Sequence, residues 1–202
     1  MKRTSVVLAC ACVLVLPASA QTQWDLPTNY AAGVFHTKNV VQFATDVDRA
    51  TGGSLKIIVY PGGTMVKHAE IKRAVGDGKV AAGEVLISLA ADEAPVYGLD
   101  SVPFLATGYD GARKLYDAQK PYLERQLAKE GLILLFSVPW PPQGVYAKRE
   151  IKSIDDLKGL KFRIGGFAGR VLQKLGCVPQ QLAGGDIYPA LEKGTIDAAE
   201  WV

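Results

Sequence analysis

The hydrophobic residues of this chain change their spacing along its length, between the period of a helix and the period of a strand. Segments with apolar residues three and four positions apart predict α-helices, and glycines end several of them. Short runs rich in Val, Ile, Leu and Tyr predict strands. The predicted helices cover residues 34–51, 69–75, 109–130, 170–175 and 187–193. The predicted strands cover residues 23–26, 55–60, 80–87, 132–138, 145–148, 160–164 and 196–202. Because strands alternate with helices, we expect an α/β fold.

The first twenty residues have the three parts of a secretory signal peptide. Lys2 and Arg3 precede an apolar stretch over residues 6–17, and the small residues Ala18-Ser19-Ala20 follow it. The apolar stretch is too short to span a bilayer, which argues against a membrane anchor. We therefore expect residues 1–20 to be a signal peptide that is cleaved after Ala20, and the mature protein to be exported.

The overall charge and the cysteines exclude several classes of function. The chain has 23 basic and 20 acidic residues, and this net charge of +3 is too small to indicate a nucleic-acid partner. Two of the three cysteines lie in the signal peptide, so Cys177 has no partner for an internal disulfide. It lies in an apolar turn without a neighbouring cation, and we expect a buried residue rather than a nucleophile.

Two segments of the chain, residues 71–85 and 187–201, resemble each other. Each one predicts a helix, a terminating glycine and a short strand that contains an acidic residue, with Glu84 and Glu200 at matching positions. A duplication would give two similar α/β lobes. Ligands commonly bind in the cleft between two such lobes.

The sequence lacks the common motifs for catalysis and cofactor binding. It has no G-x-S-x-G or Walker A pattern, and the glycines of residues 165–169 lack the dinucleotide-binding spacing. His36 and His68 have no partners at metal-ligand spacing, and we expect them to be solvated or locally hydrogen-bonded. Asp155 and Asp156 could be read as a catalytic pair, but the spacing from Ser153 favours a capping box.

Arg163 is the first residue with a chemical signature, because it interrupts an otherwise apolar strand. Alternation places Phe162 and Ile164 on one face and Arg163 on the other, and glycines follow directly. A guanidinium at a strand end is suited to bidentate binding of a carboxylate. The pattern equally allows a surface arginine or a structural salt bridge.

Glu200 and Trp201 form a second candidate at the end of the last predicted strand. An acidic residue beside an indole could bind a cation or close an apolar pocket. The alternative is an edge glutamate beside a core tryptophan.

Three segments of the sequence carry a resemblance to a known family. Residues 153–164 resemble the D-L-K-G-x-K-x-R segment of the solute-binding proteins of TRAP transporters, the DctP family. Residues 175–179 resemble its L-G-A-x-P turn, with Cys in place of Ala, and residues 187–200 resemble its Y-x-A-L-x-x-G-x-(V/I)-D-(G/A)-x-E segment. The resemblance covers essentially the whole mature chain.

The resemblance implies a two-lobe periplasmic binding protein of type II-like α/β fold, with no catalytic activity. Lobe one would comprise residues 21–140 and lobe two residues 141–202, and the chain would be truncated before lobe one is completed. Such a protein captures a small organic acid in the periplasm and delivers it to a sodium-coupled TRAP membrane permease. The family's ligand arginine falls on Arg163. Full-length members can also form homodimers.

The Glu200-Trp201 pair resembles the branch of the family that binds 2-oxo acids or lactate. That branch implies a metal ion, Na⁺ or Ca²⁺, and no organic cofactor. Its ligands would be the Glu200 carboxylate, the Trp201 backbone oxygen and Gln143, and Gln143 and Trp201 would also contact the substrate. Tyr97 is a further expected substrate contact, as a wall or hydrogen-bond partner.

Three alternatives to this function stay open from the residues. One is an exported enzyme that acts on organic acids, although the sequence offers no base or nucleophile with a partner. Another is the ligand-sensing ectodomain of a receptor. The third is a binding protein for a different carboxylate, such as a dicarboxylate, a sugar acid or an aromatic acid.

Overall fold

The computed structural model describes residues 21–182 and 184–202, so the expected signal peptide lies outside the described residues. The strands are β1 (Thr22–Pro27), β2 (Leu55–Tyr60), β3 (Gly144–Ala147), β4 (Lys161–Arg163), β5 (Val178–Gln180) and β6 (Ala198–Trp201). The α-helices are α1 (Phe35–Ala50), α2 (His68–Gly76), α3 (Tyr109–Lys129), α4 (Gly166–Lys174) and α5 (Ile187–Lys193). This alternation confirms the predicted α/β class. None of these helices is both long and apolar enough to cross a membrane.

The N-terminal sheet consists of β1 and β2, paired in parallel from Thr22 opposite Leu55 to Pro27 opposite Tyr60. Helix α1 connects the two strands and covers one face of the sheet, because its apolar residues recur at helical spacing. The buried residues of this contact are Leu26, Val40, Ala44, Ile57 and Ala82. Gly52 and Gly53 both have positive φ and end the helix, which returns the chain to β2.

The C-terminal sheet has the strand order β3-β6-β4-β5, with β3 antiparallel and the other neighbours parallel. Phe162 of the inner strand β4 is 1% exposed and packs with Leu160, Ala198 and Cys177. Cys177 is confirmed as a buried residue, and burial raises the pKa of its thiol. A high pKa removes the thiolate that a nucleophile would need.

Two predicted strands of the N-terminal region are wrong. Residues 80–87 contain only an isolated bridge, from Glu84 to Thr28, and a 3₁₀ helix begins at Ile87. Residues 132–138 pair with no strand in the described part of the chain, and Ile133 is 86% exposed. An apolar run becomes a strand only when a neighbour satisfies its backbone N–H and C=O groups.

One further strand, β5, was absent from the prediction because it is short and contains Pro179. Proline donates no backbone hydrogen bond, and β5 accordingly lies at the edge of the C-terminal sheet.

Helix α4 packs against the 3₁₀ helix Pro95–Ser101 and so connects the C-terminal sheet to the N-terminal region. The Phe167 ring packs so closely on Gly98 that a Cβ there would lie 2.5 Å from the ring. Arg170 of α4 also forms an ion pair with Asp92. These contacts bring the carboxyl ends of the parallel strands of both sheets towards one junction, where ligands of α/β proteins commonly bind.

Candidate functional site

Arg163 lies at the carboxyl end of β4, and the side chain is 16% exposed. Its guanidinium donates three hydrogen bonds to other residues of the chain. Nε donates to the Leu182 carbonyl at 3.0 Å, and Nη1 donates to the Glu200 carbonyl at 3.3 Å and to Glu200 Oε1 at 2.5 Å. Nη2 has no hydrogen-bond partner within residues 21–182 and 184–202. The guanidinium is therefore fixed in orientation, and one of its nitrogens is available to an anion.

Glu200 is the partner that holds Arg163 in place, and its side chain is 18% exposed. Burial raises the pKa of its carboxyl, and the charge of Arg163 opposes that shift. Because β6 pairs in parallel with β4, with Arg163 opposite Ala199, the two side chains meet at the same end of the sheet. Arg163 and Glu200 together offer a hydrogen-bond donor and an anionic acceptor side by side.

Trp201 closes this end of the C-terminal sheet. The Arg163 guanidinium lies 5.4 Å from the centre of its ring, within the range of a cation–π contact. The ring also packs directly on Gly184, which has no room for a side chain. Trp201 therefore fixes one apolar wall of the site.

An aromatic cluster continues from Trp201 to the N-terminal sheet. Trp140 meets Trp201 edge to face, with 5.8 Å between the ring centroids. On its other side Trp140 lies 5.2 Å from the ring of Tyr30 and 4.0 Å from that of His36. We refer to Tyr30, His36, Trp140 and Trp201 as the junction cluster. It connects the two sheets beside Arg163.

The two histidines differ in their surroundings. His68 Nε2 accepts a hydrogen bond from the Leu86 backbone N–H at 3.2 Å, which confirms the expected local hydrogen bond. Burial and the charge of Arg163 lower the pKa of His68, which places it close to the arginine. His36 is 4% exposed and neither of its ring nitrogens has a hydrogen-bond partner among the described residues, so the expectation that it is solvated or locally hydrogen-bonded was wrong. Its apolar neighbours exclude water from the ring.

Tyr30 and Glu84 are two further buried polar residues near the junction that motif reasoning missed. Burial raises the pKa of the Tyr30 hydroxyl, with a further rise from Glu84 and an opposing effect from Arg163, so both charges act on this side chain. Glu84 accepts a hydrogen bond from the Thr28 hydroxyl, and burial raises the pKa of its carboxyl. The signal that could have found Glu84 is its match to Glu200 in the aligned segments.

Gln143 stands immediately before β3, and its neighbour Gly144 is paired with Trp201. The side chain is exposed, and its Nε2 donates to the Pro141 carbonyl at 3.2 Å. This hydrogen bond does not use the amide oxygen. Gln143 thus precedes the residue that pairs with Trp201, but within the described residues its side chain makes no hydrogen bond to Glu200 or Trp201.

Tyr97 lies in a different cluster from Arg163. It is fully buried among Ala94, Leu123 and Leu127, and its hydroxyl donates to Glu130 at 2.6 Å. Both its ring and its hydroxyl thus have partners inside the protein.

The capping box is confirmed. Asp156 Oδ2 accepts hydrogen bonds from the Ser153 backbone N–H at 2.9 Å and the Lys152 N–H at 3.0 Å. This carboxylate caps the N-terminus of the 3₁₀ helix Ile154–Leu157, so its hydrogen bonds are used in the local fold and not in a catalytic pair.

Comparison with known proteins identifies the family of this chain. The sequence profile of the bacterial extracellular solute-binding proteins of family 7, DctP, matches residues 28–202. This chain belongs to that family. Its members are extracytoplasmic proteins that bind substrates, which agrees with the predicted absence of catalysis.

A curated relative from Nostoc sp. is a monocarboxylate 2-oxoacid-binding periplasmic protein. It is 32% identical over 183 residues, which are 89% of this chain and 50% of the relative. The chain thus spans about half the length of the curated relatives it matches.

Solved structures of higher identity bind a cyclic acid. An extracytoplasmic solute receptor of Bordetella pertussis that binds pyroglutamic acid is 45% identical, with a TM-score of 0.85. The alignment covers 89% of this chain and 60% of the receptor. A TRAP solute-binding protein from a marine metagenome, in complex with pyroglutamate, is 41% identical, with a TM-score of 0.86 over 90% of this chain and 60% of that one. The predicted two-lobe α/β fold is confirmed by these structures.

Metal ions accompany the acid in other members of the family. A TRAP periplasmic solute-binding protein from Colwellia psychrerythraea has bound calcium and pyruvate. It is 26% identical with a TM-score of 0.78, and the alignment covers 90% of this chain and 57% of that protein. One from Pseudoalteromonas atlantica, 27% identical with a TM-score of 0.73, has bound sodium and pyruvate, and covers 90% and 56%.

Proposed function

We propose that this protein captures a small organic acid in the periplasm for uptake by a TRAP transporter. The observation that carries the proposal is the geometry of Arg163. Its guanidinium is largely buried, fixed by Glu200 and Leu182, and turned to the junction of the two sheets with Nη2 unpaired in the described residues. A positive charge held in this way can bind a carboxylate through Nη2 without first losing side-chain entropy.

The proposed substrate is a monocarboxylate with a second polar group on a small body. The Nostoc relative binds 2-oxo acids and the Bordetella pertussis receptor binds pyroglutamic acid, and both ligand types fit this description. A monocarboxylate has a single negative group, and Arg163 would be its partner in the site. The flat apolar rings of Trp140 and Trp201 suit the body of either acid.

A cation is the second element of the proposal, in line with the pyruvate-bound structures. The Glu200 carboxylate, the Trp201 carbonyl and the Gln143 amide oxygen are all oxygen donors, which Na⁺ and Ca²⁺ prefer. Support for this set comes from the β3–β6 ladder, in which Trp201 pairs with Gly144, the residue that follows Gln143. We propose that they hold the ion and that it neutralises part of the negative charge of Glu200 and the acid. No organic cofactor is part of this proposal.

The proposed mechanism is closure of lobe one, residues 21–140, and lobe two, residues 141–202, over the acid. Trp140 lies where the chain passes from one lobe to the other, which suits a residue that moves with closure. The closed protein then delivers the acid to the membrane permease of the transporter. Cleavage after Ala20 and a homodimer of the full-length protein complete the proposal.

The test is calorimetry of the full-length protein with pyroglutamate and with pyruvate. Arg163→Ala should lower the affinity for either acid by roughly 2–5 kcal/mol, because it removes a charged contact from a desolvated site. Arg163→Lys keeps the charge but loses the planar fork, so an intermediate loss is expected. Arg113→Ala, at an exposed arginine of α3 that pairs with Asp117, is the matched control.

Unchanged affinity in Arg163→Ala, with the fold intact by circular dichroism, would contradict the carboxylate assignment. Recovery of the acid chemically intact after incubation is expected for a binding protein. Its conversion would instead support the alternative of an exported enzyme.

A further inference from the structure

Three buried polar atoms of the junction cluster have no partner with hydrogen-bond geometry among the described residues, although the Trp140 side chain and the Val138 backbone lie near them. The three atoms are the Tyr30 hydroxyl and both ring nitrogens of His36. Tyr30 is 7% exposed and His36 is 4% exposed. An unpaired buried polar group costs free energy comparable to that of a lost hydrogen bond. Finding three such atoms on two neighbouring residues indicates a place where a polar group from outside the protein belongs.

These atoms belong to lobe one. Arg163 belongs to lobe two, on the opposite side of the junction cluster. The rings of Tyr30 and His36 are 5.3 Å apart, and both contact Trp140. Trp140 in turn contacts Trp201, which lies under the Arg163 guanidinium. Two indole rings therefore separate the cation from the unpaired atoms. The charge of Arg163 nevertheless acts on the Tyr30 hydroxyl, so the two sides belong to one electrostatic environment.

Tyr30 is held firmly by its backbone, so its hydroxyl is positioned in advance. Its N–H donates to the Thr28 hydroxyl at 3.2 Å, and its carbonyl accepts hydrogen bonds from the Thr37 hydroxyl at 2.9 Å and from the Gly62 N–H at 2.9 Å. Only the phenol group is left without a partner in the described residues. A polar group on such a rigid support is typical of a specificity contact.

Trp140 covers these atoms in the present conformation. It lies outside any helix or strand, immediately before Pro141 and Pro142, on the segment that leads to the C-terminal sheet. A relative movement of the two sheets therefore moves this indole. Such a movement uncovers Tyr30 and His36 to an incoming ligand.

The unpaired atoms match the two polar groups of an amide. Burial lowers the pKa of His36, which keeps the imidazole neutral near pH 7 with one N–H donor and one acceptor nitrogen. The Tyr30 hydroxyl can both donate and accept. An amide in a ring presents an N–H donor and a carbonyl acceptor next to each other.

We infer that Tyr30 and His36 form a hydrogen-bonding subsite for the amide of a cyclic acid of the pyroglutamate kind, and that this subsite favours such an acid over pyruvate. The inference rests on the proposed function, since it assumes that Arg163 binds the carboxylate of the same ligand. In this inference, residues of lobe one determine which acid binds more tightly. Arg163 contributes the part of the affinity that is common to all the acids.

The experiment is calorimetry with three acids of similar shape. Pyroglutamate has the amide, 5-oxotetrahydrofuran-2-carboxylate has a ring oxygen in place of the N–H, and cyclopentanecarboxylate has neither polar group. Tyr30→Phe should weaken binding of pyroglutamate about tenfold, the size of one hydrogen bond. It should change binding of cyclopentanecarboxylate less than about twofold. Tyr188→Phe, at a tyrosine of α5 that is 74% exposed, is the matched control.

The melting temperature of the ligand-free protein is a second measurement, and Tyr30→Phe should change it in the direction opposite to the change in affinity. Because the Tyr30 hydroxyl is buried and has no hydrogen-bond partner in the described part of the chain, Tyr30→Phe should raise the melting temperature of the free protein while it lowers the affinity for pyroglutamate. A tyrosine with a purely structural role would lower the melting temperature.

Equal weakening for all three acids, or no weakening for pyroglutamate, would overturn the subsite. If the wild-type protein binds the three acids equally and loses all of them in Arg163→Ala, the subsite is wrong and the proposed function stands. If it binds none of these acids and no pyruvate, both fail.

Discussion

The two sheets of this protein differ in how completely their strands find neighbours. In the C-terminal sheet, β4 lies between β6 and β5, and its Phe162 is 1% exposed. In the N-terminal region, the extended segment over residues 132–138 has no neighbouring strand in the described residues, and Ile133 is 86% exposed. The difference teaches that an apolar run stabilises a fold only where its backbone and its side chains both find partners.

The largest expected effect tests this difference directly. Phe162→Ala should destabilise the protein by about 3–5 kcal/mol, because it leaves a cavity in the core of the C-terminal sheet. Phe136→Ala should cost only about 0.5–1.5 kcal/mol, since Phe136 is 41% exposed and contacts chiefly Phe43 at 5.0 Å. Denaturant unfolding measures both.

The control for these two variants is Phe104→Ala, at a residue that is 93% exposed. Its effect should stay within about 0.5 kcal/mol. If Phe136→Ala proves as costly as Phe162→Ala, the segment is covered in the protein, and the contrast between the two regions is lost.

The next effect concerns the point where the two regions meet. Gly184→Ala places a methyl group against the Trp201 ring, which must then move away from Trp140 and Arg163. Overpacking of this kind typically lowers the free energy of unfolding by about 1–3 kcal/mol. The affinity for the acid should also fall, because the displaced Trp201 ring no longer forms the same wall of the site. Calorimetry and the near-ultraviolet circular dichroism of tryptophan measure the two consequences.

Gly185→Ala is the matched control, because a Cβ at Gly185 would contact nothing within 4 Å. It should bind the acid as the wild type does. Equal losses in both variants would mean that the loop, and not the Trp201 wall, determines the affinity.

Features that depend on neighbouring residues in the chain could be predicted from the sequence. Helix α1 occupies 35–50 where 34–51 was expected, and α5 occupies the predicted 187–193. Their apolar spacing and terminal glycines act within one or two turns of chain. The Ser153–Asp156 capping box is equally local.

Features that depend on distant residues could not be predicted in the same way. Residues 132–138 have the composition of a strand, but composition does not say whether a neighbouring strand is present. The same reason explains why His36 was expected to be solvated or locally hydrogen-bonded. Its burial arises from Trp140, which is far away in sequence and only 4.0 Å away in space.

The candidate site was predicted on one side only. Arg163, Glu200 and Trp201 lie on adjacent strands with a recognisable motif, and the structure brings them together. Tyr30, on the opposite side, belongs to no motif, because it depends on how the end of β1 faces the other sheet. The placement of Gln143 and Tyr97 in the binding site stays a prediction.

The smallest expected effect lies at the entry to the C-terminal region, where a local contact rather than sheet packing orders the chain. The Asp156 carboxylate accepts hydrogen bonds from the backbone N–H groups of Lys152 and Ser153 and from the Ser153 hydroxyl, and these lower its pKa. The folded protein therefore binds this proton less tightly than the unfolded chain does. The stabilisation is present above the ordinary carboxyl pKa of about 3.9 and is lost as the pH falls through the lower folded value.

Asp156→Asn should consequently be less stable than the wild type at neutral pH, and the difference should shrink as the pH falls from about 4 towards 2. Denaturant unfolding at a series of pH values measures it. Asp155→Asn removes a neighbouring negative charge that contacts Lys158 at 2.7 Å, and it controls for the change in net charge. A stability difference that stays constant over this pH range would mean that the turn depends on the shape of the side chain at position 156 and not on its charge. In that case an uncharged oxygen at position 156 would stabilise the turn as well as a carboxylate does. The turn would still depend on a local contact, but on its geometry and not on its charge.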